Sequence, residues 1–190
     1  MKFTIEELPE KSWQDDPNTT SRKFKHDLLD FFGKPEFKDK TALELGCHYC
    51  HTSVILAQCV KHVYAIRENW SHDAYCTLNH KRVENVTIVV HDLYAGKPIP
   101  VEQADIVFID AVHTYEAIMS DVRNAFNIKS GDKKWFVFND YGLCEGVNKA
   151  INELCQNGTL TKVKDIGYSK GDPFLLPLQF AGEGIICKEM

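Results

Sequence analysis

The segment TALELGCHYCHTSVILAQC, residues 41–59, joins an apolar strand to a helix through a turn that begins at Gly46. The run TALEL at 41–45 is short and apolar, as expected of a buried strand. Turns of this kind usually carry further glycines, which let the backbone lie against a ligand. His48 and Cys50 stand two and four residues after Gly46 instead. Three interpretations are open: a metal cluster, a plain turn, or a nucleotide-type pocket that has lost its usual glycines.

The rest of the chain continues this alternation of strand and helix. Apolar β-runs separated by helical segments imply crossover connections and a mostly parallel sheet. The runs 160–167 and 182–189 have no helical segment between them, so they are predicted to pair antiparallel at one edge. The fold class is therefore α/β. The predicted helices lie at 21–33, 52–60, 72–82, 115–127 and 145–157, and the predicted strands at 41–45, 62–66, 86–90, 104–110, 134–140, 160–167 and 182–189.

Length and composition are those of one globular domain. The 190 residues are 44% hydrophobic, and no stretch approaches the roughly 20 apolar residues of a membrane span. We expect one domain over 1–190, with an N-terminal helical segment at 1–39 and the sheet-based core at 40–190. The net charge of −5 gives no strong signal for nucleic acid. Seven scattered cysteines and an N-terminus without an apolar signal core predict reduced thiols and a cytoplasmic location.

Polar side chains cluster where the predicted parallel strands end. Ligands bind at the carboxyl ends of the strands in an open parallel sheet, so these positions predict a binding site. An acid after a strand can instead cap the next helix, but five such ends together favour a ligand site. The residues are Glu44 and Gly46 for the first strand, Arg67 and Glu68 for the second, His91 and Asp92 for the third, Asp110 and His113 for the fourth, and Asn139 and Asp140 for the fifth.

Several of these segments resemble class I S-adenosylmethionine-dependent methyltransferases. ALELGCHYCHTSVILA resembles the first motif of that family, and VVHDLY resembles the segment whose acid lies by the adenine. IVFIDAVHTYEAIMSDV and FVFNDYGLCEGVNKAI resemble the small-molecule and sugar O-methyltransferases, several of which hold a divalent metal. The resemblance covers roughly 40–190. It implies a Rossmann-like three-layer sandwich, a seven-stranded sheet with an antiparallel last strand, S-adenosyl-L-methionine as cofactor, and a small-molecule or sugar acceptor.

The resemblance also implies roles for individual residues. Asp110 matches an acid that ligates metal, Asp140 matches a second one, and His113 matches a histidine near the reacting hydroxyl. The implied catalytic residues are thus His113, Asp110 and Asp140, and the implied metal ligands are Asp110, Asn139 and Asp140. The implied cofactor site comprises Glu44, Gly46, His48, Cys50, Thr52, Arg67, Glu68, Asp92 and Asp110.

Three features depart from the family pattern. His48 and Cys50 replace glycines and are expected to crowd the amino-acid end of the cofactor, where His48 would donate a hydrogen bond to its carboxylate. Arg67 stands where an acid normally takes the ribose hydroxyls, with Glu68 one residue later. Asn139 offers a neutral oxygen where an acid is usual.

The oxygen-rich group after strands four and five suits Mg²⁺. A bound metal would orient an acceptor and lower the pKa of its hydroxyl. His113 is then a candidate general base, because an unperturbed imidazole titrates near ~6.5. The alternative is that His113 caps the next helix or hydrogen-bonds to Asp140. A zinc site at Cys47 and Cys50 is disfavoured, since no second pair with ligand spacing follows them in the sequence.

Two other functions remain open from the sequence. One is a catalytically inactive, methyltransferase-like binding protein, and the other is a nucleotide-binding enzyme in which Arg67 lies near a ligand phosphate. Two further segments also allow more than one interpretation. Trp13 and the TTSRK segment at 19–23 form either a lid over the substrate or a plain packing helix. The apolar stretch 168–180 covers the active site, forms a contact between copies of the chain, or is a packed hairpin loop.

Overall fold

The computed structural model describes residues 4–11, 19–172 and 178–190. Trp13 and residues 173–177 lie outside this part of the chain, so the interpretations of Trp13 and of the middle of 168–180 stay predictions. The helices are α1 (Arg22–Phe32), α2 (His51–Cys59), α3 (His72–His80), α4 (Tyr115–Phe126) and α5 (Glu145–Gln156). The strands are β1 (Thr41–Leu45), β2 (His62–Arg67), β3 (Val86–Val90), β4 (Ile106–Ile109), β5 (Trp135–Phe138), β6 (Leu160–Ser169) and β7 (Gly182–Glu189).

The strands form a seven-stranded sheet in the order β3-β2-β1-β4-β5-β7-β6. The pairs among β1 to β5 are parallel, whereas β7 runs antiparallel to both β5 and β6. The predicted mostly parallel sheet with an antiparallel edge pair is therefore confirmed. The order of the last two strands was not predicted from the sequence. The last strand, β7, lies between β5 and β6, and β6 forms the edge of the sheet.

Helices cover both faces of the sheet and produce two apolar cores. One core contains α1, α2 and α3 and is anchored by large buried side chains such as Phe24 and Phe32. The other contains α4 and α5, with Phe136 and Phe138 from β5. Alternate residues of one strand enter opposite cores, as in β1, where Ala42 belongs to the first and Leu43 to the second. This arrangement is the three-layer sandwich predicted from the sequence.

The N-terminal segment packs onto the sheet at the end that carries the site. The Lys25 ammonium is buried in α1 and donates to the carbonyl oxygens of Pro9, at 3.0 Å, and of Thr20. Ser21 caps α1 and its backbone N–H donates to Glu183 of β7 at 2.9 Å. Residues 4–11 are thereby held against α1, close to the carboxyl ends of the strands.

Within the described residues, no helix combines the length and apolar character that crossing a membrane requires.

Candidate cofactor and acceptor site

Two adjoining cavities open at the carboxyl ends of β1 to β5. The larger has a volume of about 450 Å³ and the smaller about 250 Å³, and both are lined by Gly46, Arg67, Glu68 and Ala111. Every site residue predicted from the sequence lines one of them. The larger cavity takes Glu44, Gly46, His48, Cys50, Thr52, Arg67, Glu68, Asp110, His113, Asn139 and Asp140, and the smaller takes Asp92.

Gly46 brings the end of β1 against the end of β4. Its φ of 96° lies in the left-handed region that favours glycine. A Cβ at this position would lie 2.3 Å from the carbonyl oxygen of Asp110 and 2.5 Å from Cα of Ala111. The glycine is therefore required by the backbone of the fold, and it places the turn directly beside Asp110.

The turn after Gly46 is held by side chains. Cys50 has a φ of 62°, the left-handed conformation in which glycine is usual. The Sγ atoms of Cys47 and Cys50 lie 3.0 Å apart, both buried. The Arg67 guanidinium donates to the carbonyl oxygen of His48 and to that of Asn69. Arg67 thus supports the turn, which suggests how it keeps its shape with His48 and Cys50 in place of glycines.

Metal-type ligands do not converge at this turn. In the part of the chain that the structure describes, a group of three such ligands within 4.8 Å of one another occurs at His113, Asp140 and Cys144. Cys47 and Cys50 belong to no group of this kind. The metal-cluster interpretation of the turn therefore finds no support.

Glu44 is a buried acid beneath the turn. It is 4% exposed and accepts a hydrogen bond from the Ser53 hydroxyl of α2. Burial, with the neighbouring Cys47 and Asp110, raises the pKa of Glu44 well above its usual range. A cation bound beside Glu44, such as an ammonium group, would favour the charged form of this buried acid.

The smaller cavity has apolar walls from Ile66, Leu93 and Val112. Asp92 lies at its rim and accepts a hydrogen bond from the backbone N–H of Tyr94 at 2.8 Å. The mostly apolar lining of this cavity suits a planar aromatic group with a polar edge.

A cluster of charged residues closes the other end of the larger cavity. His113 Nε2 lies 3.2 Å from Asp110 Oδ1 and 3.4 Å from Asp140 Oδ2. The Asn139 amide donates to Asp110 Oδ1 at 3.0 Å, and the Lys11 ammonium donates to Asp140 Oδ1 at 2.8 Å. Asp140 itself has a φ of 54°, so its carboxylate is presented from a strained backbone position.

The structure brings together the four residues predicted from the sequence, and Lys11 joins them. The four are Asp110, His113, Asn139 and Asp140. That lysine lies in a polar N-terminal segment, EELPEK, and carries no signal that links it to a strand end. It was therefore missed by the sequence analysis.

Comparison with protein-family models and with curated proteins yields no match. Solved structures do match over most of the chain. The N-methyltransferase NodS from Bradyrhizobium japonicum WM9, in complex with S-adenosyl-L-homocysteine, is 18% identical with a TM-score of 0.63, and the match covers 93% of this chain and 91% of that one.

Two further structures have the same architecture. An rRNA methylase from Streptococcus thermophilus is 11% identical with a TM-score of 0.60, covering 87% of this chain and 93% of that one. The O-methyltransferase NovP is 11% identical with a TM-score of 0.60, covering 90% and 81%. The chain has the fold of class I S-adenosylmethionine-dependent methyltransferases. The methyl acceptors named for these proteins differ, so the shared fold does not specify an acceptor.

S-adenosylmethionine suits the two cavities of this methyltransferase fold. The larger cavity offers the buried Glu44 to an ammonium group, and the smaller offers an apolar slot to a base. Glu68 is exposed and lines both cavities. Arg67, one residue earlier, donates to the carbonyl oxygens of His48 and Asn69.

Mg²⁺ does not suit the predicted ligands. Magnesium requires oxygen atoms that converge at about 2.1 Å. Asp110 Oδ1, Asp140 Oδ1 and Asp140 Oδ2 each face a nitrogen at 2.8–3.4 Å, and Asn139 turns its nitrogen toward Asp110. Among the residues that the structure describes, the buried Asn139 Oδ1 has no hydrogen-bond partner. The predicted set of Asp110, Asn139 and Asp140 is thus joined by protein hydrogen bonds, and no step is assigned to a metal.

The role of general base does not suit His113 either. Its hydrogen bonds to Asp110 and Cys144 raise the pKa of His113 to about 10, although burial opposes the shift. The imidazole is therefore protonated at neutral pH and donates hydrogen bonds. For Lys11, burial by itself lowers the pKa, but Asp140 and Asp110 raise it overall. Lys11 and His113 thus lie against the side chains of Asp110 and Asp140.

We predict that Cys50→Gly gives a more stable protein than Cys50→Ala, by about 1 kcal/mol. Both substitutions remove the thiol, but only glycine adopts the φ of 62° without a steric cost. Chemical denaturation of the two variants measures the difference. Equal stability would show that the turn bears no strain at residue 50.

Proposed function

We propose that the chain transfers a methyl group from S-adenosyl-L-methionine to a hydroxyl of a small molecule or sugar. The observation that supports this most is the position of Asp110. It lies in the larger cavity beside Glu44 and Gly46 on the cofactor side and beside His113 and Asn139 on the other. A donor and an acceptor bound in one cavity would meet at this residue.

When bound, S-adenosylmethionine supplies the methyl group as a positively charged sulfonium, so transfer depends mainly on alignment. On this proposal Glu44 and the turn from Gly46 to Thr52 bind the amino-acid end, Glu68 binds the ribose, and Asp92 borders the adenine. Asp110 Oδ1 is held by His113 and Asn139. Among the described residues no hydrogen bond reaches Asp110 Oδ2, which leaves that oxygen to accept a proton or a hydrogen bond from the acceptor hydroxyl.

The proposal predicts a selective loss of transfer in Asp110→Asn. We expect S-adenosyl-L-homocysteine to bind the wild-type chain in calorimetry. Transfer from labelled cofactor to a panel of phenols and sugars should fall about 100-fold in the variant. Glu84→Gln is the matched control, because Glu84 is an exposed acid that lines neither cavity. Undiminished transfer by Asp110→Asn would remove Asp110 from the reaction.

A second candidate is a binding protein that holds the cofactor without catalysis. It is favoured by Arg67, which braces the turn from the position of the usual ribose-binding acid. Binding of S-adenosyl-L-homocysteine with no transfer to any acceptor in the panel would support it. The same calorimetry with NADP tests the nucleotide-binding alternative. That alternative is less favoured, since the Arg67 guanidinium already serves two carbonyl oxygens.

A further inference from the structure

Lys11 reaches into the carboxylate pair from a distant part of the chain. Its Nζ lies 2.8 Å from Asp140 Oδ1, and the two side chains are only 6% and 9% exposed. The contact joins residues 129 positions apart. A charged hydrogen bond of this length, shielded from water, fixes both partners in position.

The segment that carries Lys11 is itself anchored. Pro9 accepts a hydrogen bond from the buried Lys25 at 3.0 Å. Glu7 accepts one from Lys81, which follows α3, at 2.9 Å. Lys11 therefore extends from a segment fixed at several points.

A lysine of the protein already occupies this cluster of side chains. Lys11 and His113 each face Asp140, and His113 also faces Asp110. A divalent cation at this place would have to displace the Lys11 ammonium and leave it buried without a partner, which is strongly unfavourable. Asn139, which is neutral where the sequence pattern expects an acid, removes one further negative charge.

We propose that Lys11 is the resident cation of this site and takes the place of a divalent metal. It holds Asp140 in its orientation, and its remaining N–H groups are available to an oxygen of the acceptor. The site accordingly works without Mg²⁺ or Mn²⁺. The statement about the acceptor rests on the proposed function, whereas the statement about the metal does not.

Titration with Mn²⁺, followed by the electron paramagnetic resonance signal of the free ion, tests the proposal without any methyl transfer. We expect no specific binding to the wild-type chain. Lys11→Met uncovers the carboxylates and should raise the affinity for Mn²⁺ by about tenfold or more. Lys11→Arg keeps the charge and should behave as the wild type does. Lys23→Met, which breaks an exposed ion pair with Asp27, is the control for loss of a lysine.

Micromolar binding of Mn²⁺ by the wild type would overturn the proposal even if Lys11→Met did not fold. Unchanged Mn²⁺ affinity in a folded Lys11→Met variant would also overturn it. In methyl-transfer assays we expect full activity in chelator, and a lower kcat in Lys11→Met that Lys11→Arg partly restores, with KM for the cofactor unchanged. Absence of transfer to every acceptor would contradict the proposed function alone, because the Mn²⁺ result does not depend on it.

Discussion

Asp121→Asn is expected to raise the free energy of unfolding at pH 8 by up to about 4 kcal/mol and to change it little at pH 4. Asp121 lies in α4 and is fully buried. Its Oδ1 has no hydrogen-bond partner within the described part of the chain, and its Oδ2 accepts from the Tyr94 hydroxyl at 3.3 Å. Burial raises the pKa of Asp121 to about 7, and the bond from Tyr94 offsets only part of the shift.

The direction of this change in the free energy of unfolding follows from proton binding. An unfolded aspartate has a pKa of about 3.9, so between about pH 4 and pH 7 the folded chain holds a proton that the unfolded chain has lost. The free energy of unfolding therefore falls as the pH rises through this range and stays low above it. Asparagine has the same shape as aspartate but no charge. The variant therefore does not lose stability as the pH rises. Denaturation of both proteins at pH 4 and pH 8 measures the effect.

Asp105→Asn is the matched control, for which we expect the opposite change in the free energy of unfolding. Asp105 is also buried but accepts hydrogen bonds from the backbone of Thr41 and Gly131 and from the Ser130 hydroxyl. Burial by itself raises the pKa of Asp105, yet these bonds lower it overall. Its contribution is present above the unfolded pKa and is lost as the pH falls through the folded one. We therefore expect Asp105→Asn to destabilise the chain at pH 8. The same response to pH in both variants would contradict the argument.

Gly46→Ala is expected to destabilise the chain by about 4 kcal/mol. One part of this cost is the positive φ, and the larger part is the 2.3 Å approach of the new Cβ to the carbonyl oxygen of Asp110. That neighbour is backbone at the end of β4, so it cannot move aside as a flexible side chain would. Cofactor binding should be lost with it, because the turn and Asp110 are displaced together.

Gly96→Ala separates the two contributions. Gly96 has a φ of 72°, but a Cβ there would meet nothing within 4 Å. It should cost only the conformational part, about 1 kcal/mol. Thermal or urea denaturation of the two variants gives the comparison. A similar loss of stability in Gly46→Ala and Gly96→Ala would mean that a small backbone shift relieves the contact with Asp110.

The fold was predictable because its signals are local. The alternation of apolar strands and amphipathic helices specified the parallel sheet, and the missing helix between 160–167 and 182–189 specified the antiparallel pair. The cavity-lining residues followed from one geometric rule, that the ends of parallel strands meet at one edge. That rule places Glu44, Asp110 and Asp140 near one another without any knowledge of side-chain direction.

The details of the site were not predictable because they depend on contacts between distant residues. Lys11 meets Asp140 through tertiary packing, which no periodicity reports. The same holds for Arg67, whose position suggested a phosphate or ribose contact but whose guanidinium supports the turn at His48. Cys50 adopts a conformation that local preference assigns to glycine. The protonated state of His113 likewise depends on neighbours that spacing alone cannot orient.

The position of β7 between β5 and β6 has a consequence for the order in which the chain can assemble. During synthesis β6 leaves the ribosome before β7, yet β7 is the strand with which it pairs. Until residue 189 has emerged, β6 lacks that partner and the open side of β5 stays uncovered. The nascent chain would therefore expose two unsatisfied strand edges at this stage, which are sites for misplaced pairing or chaperone contact.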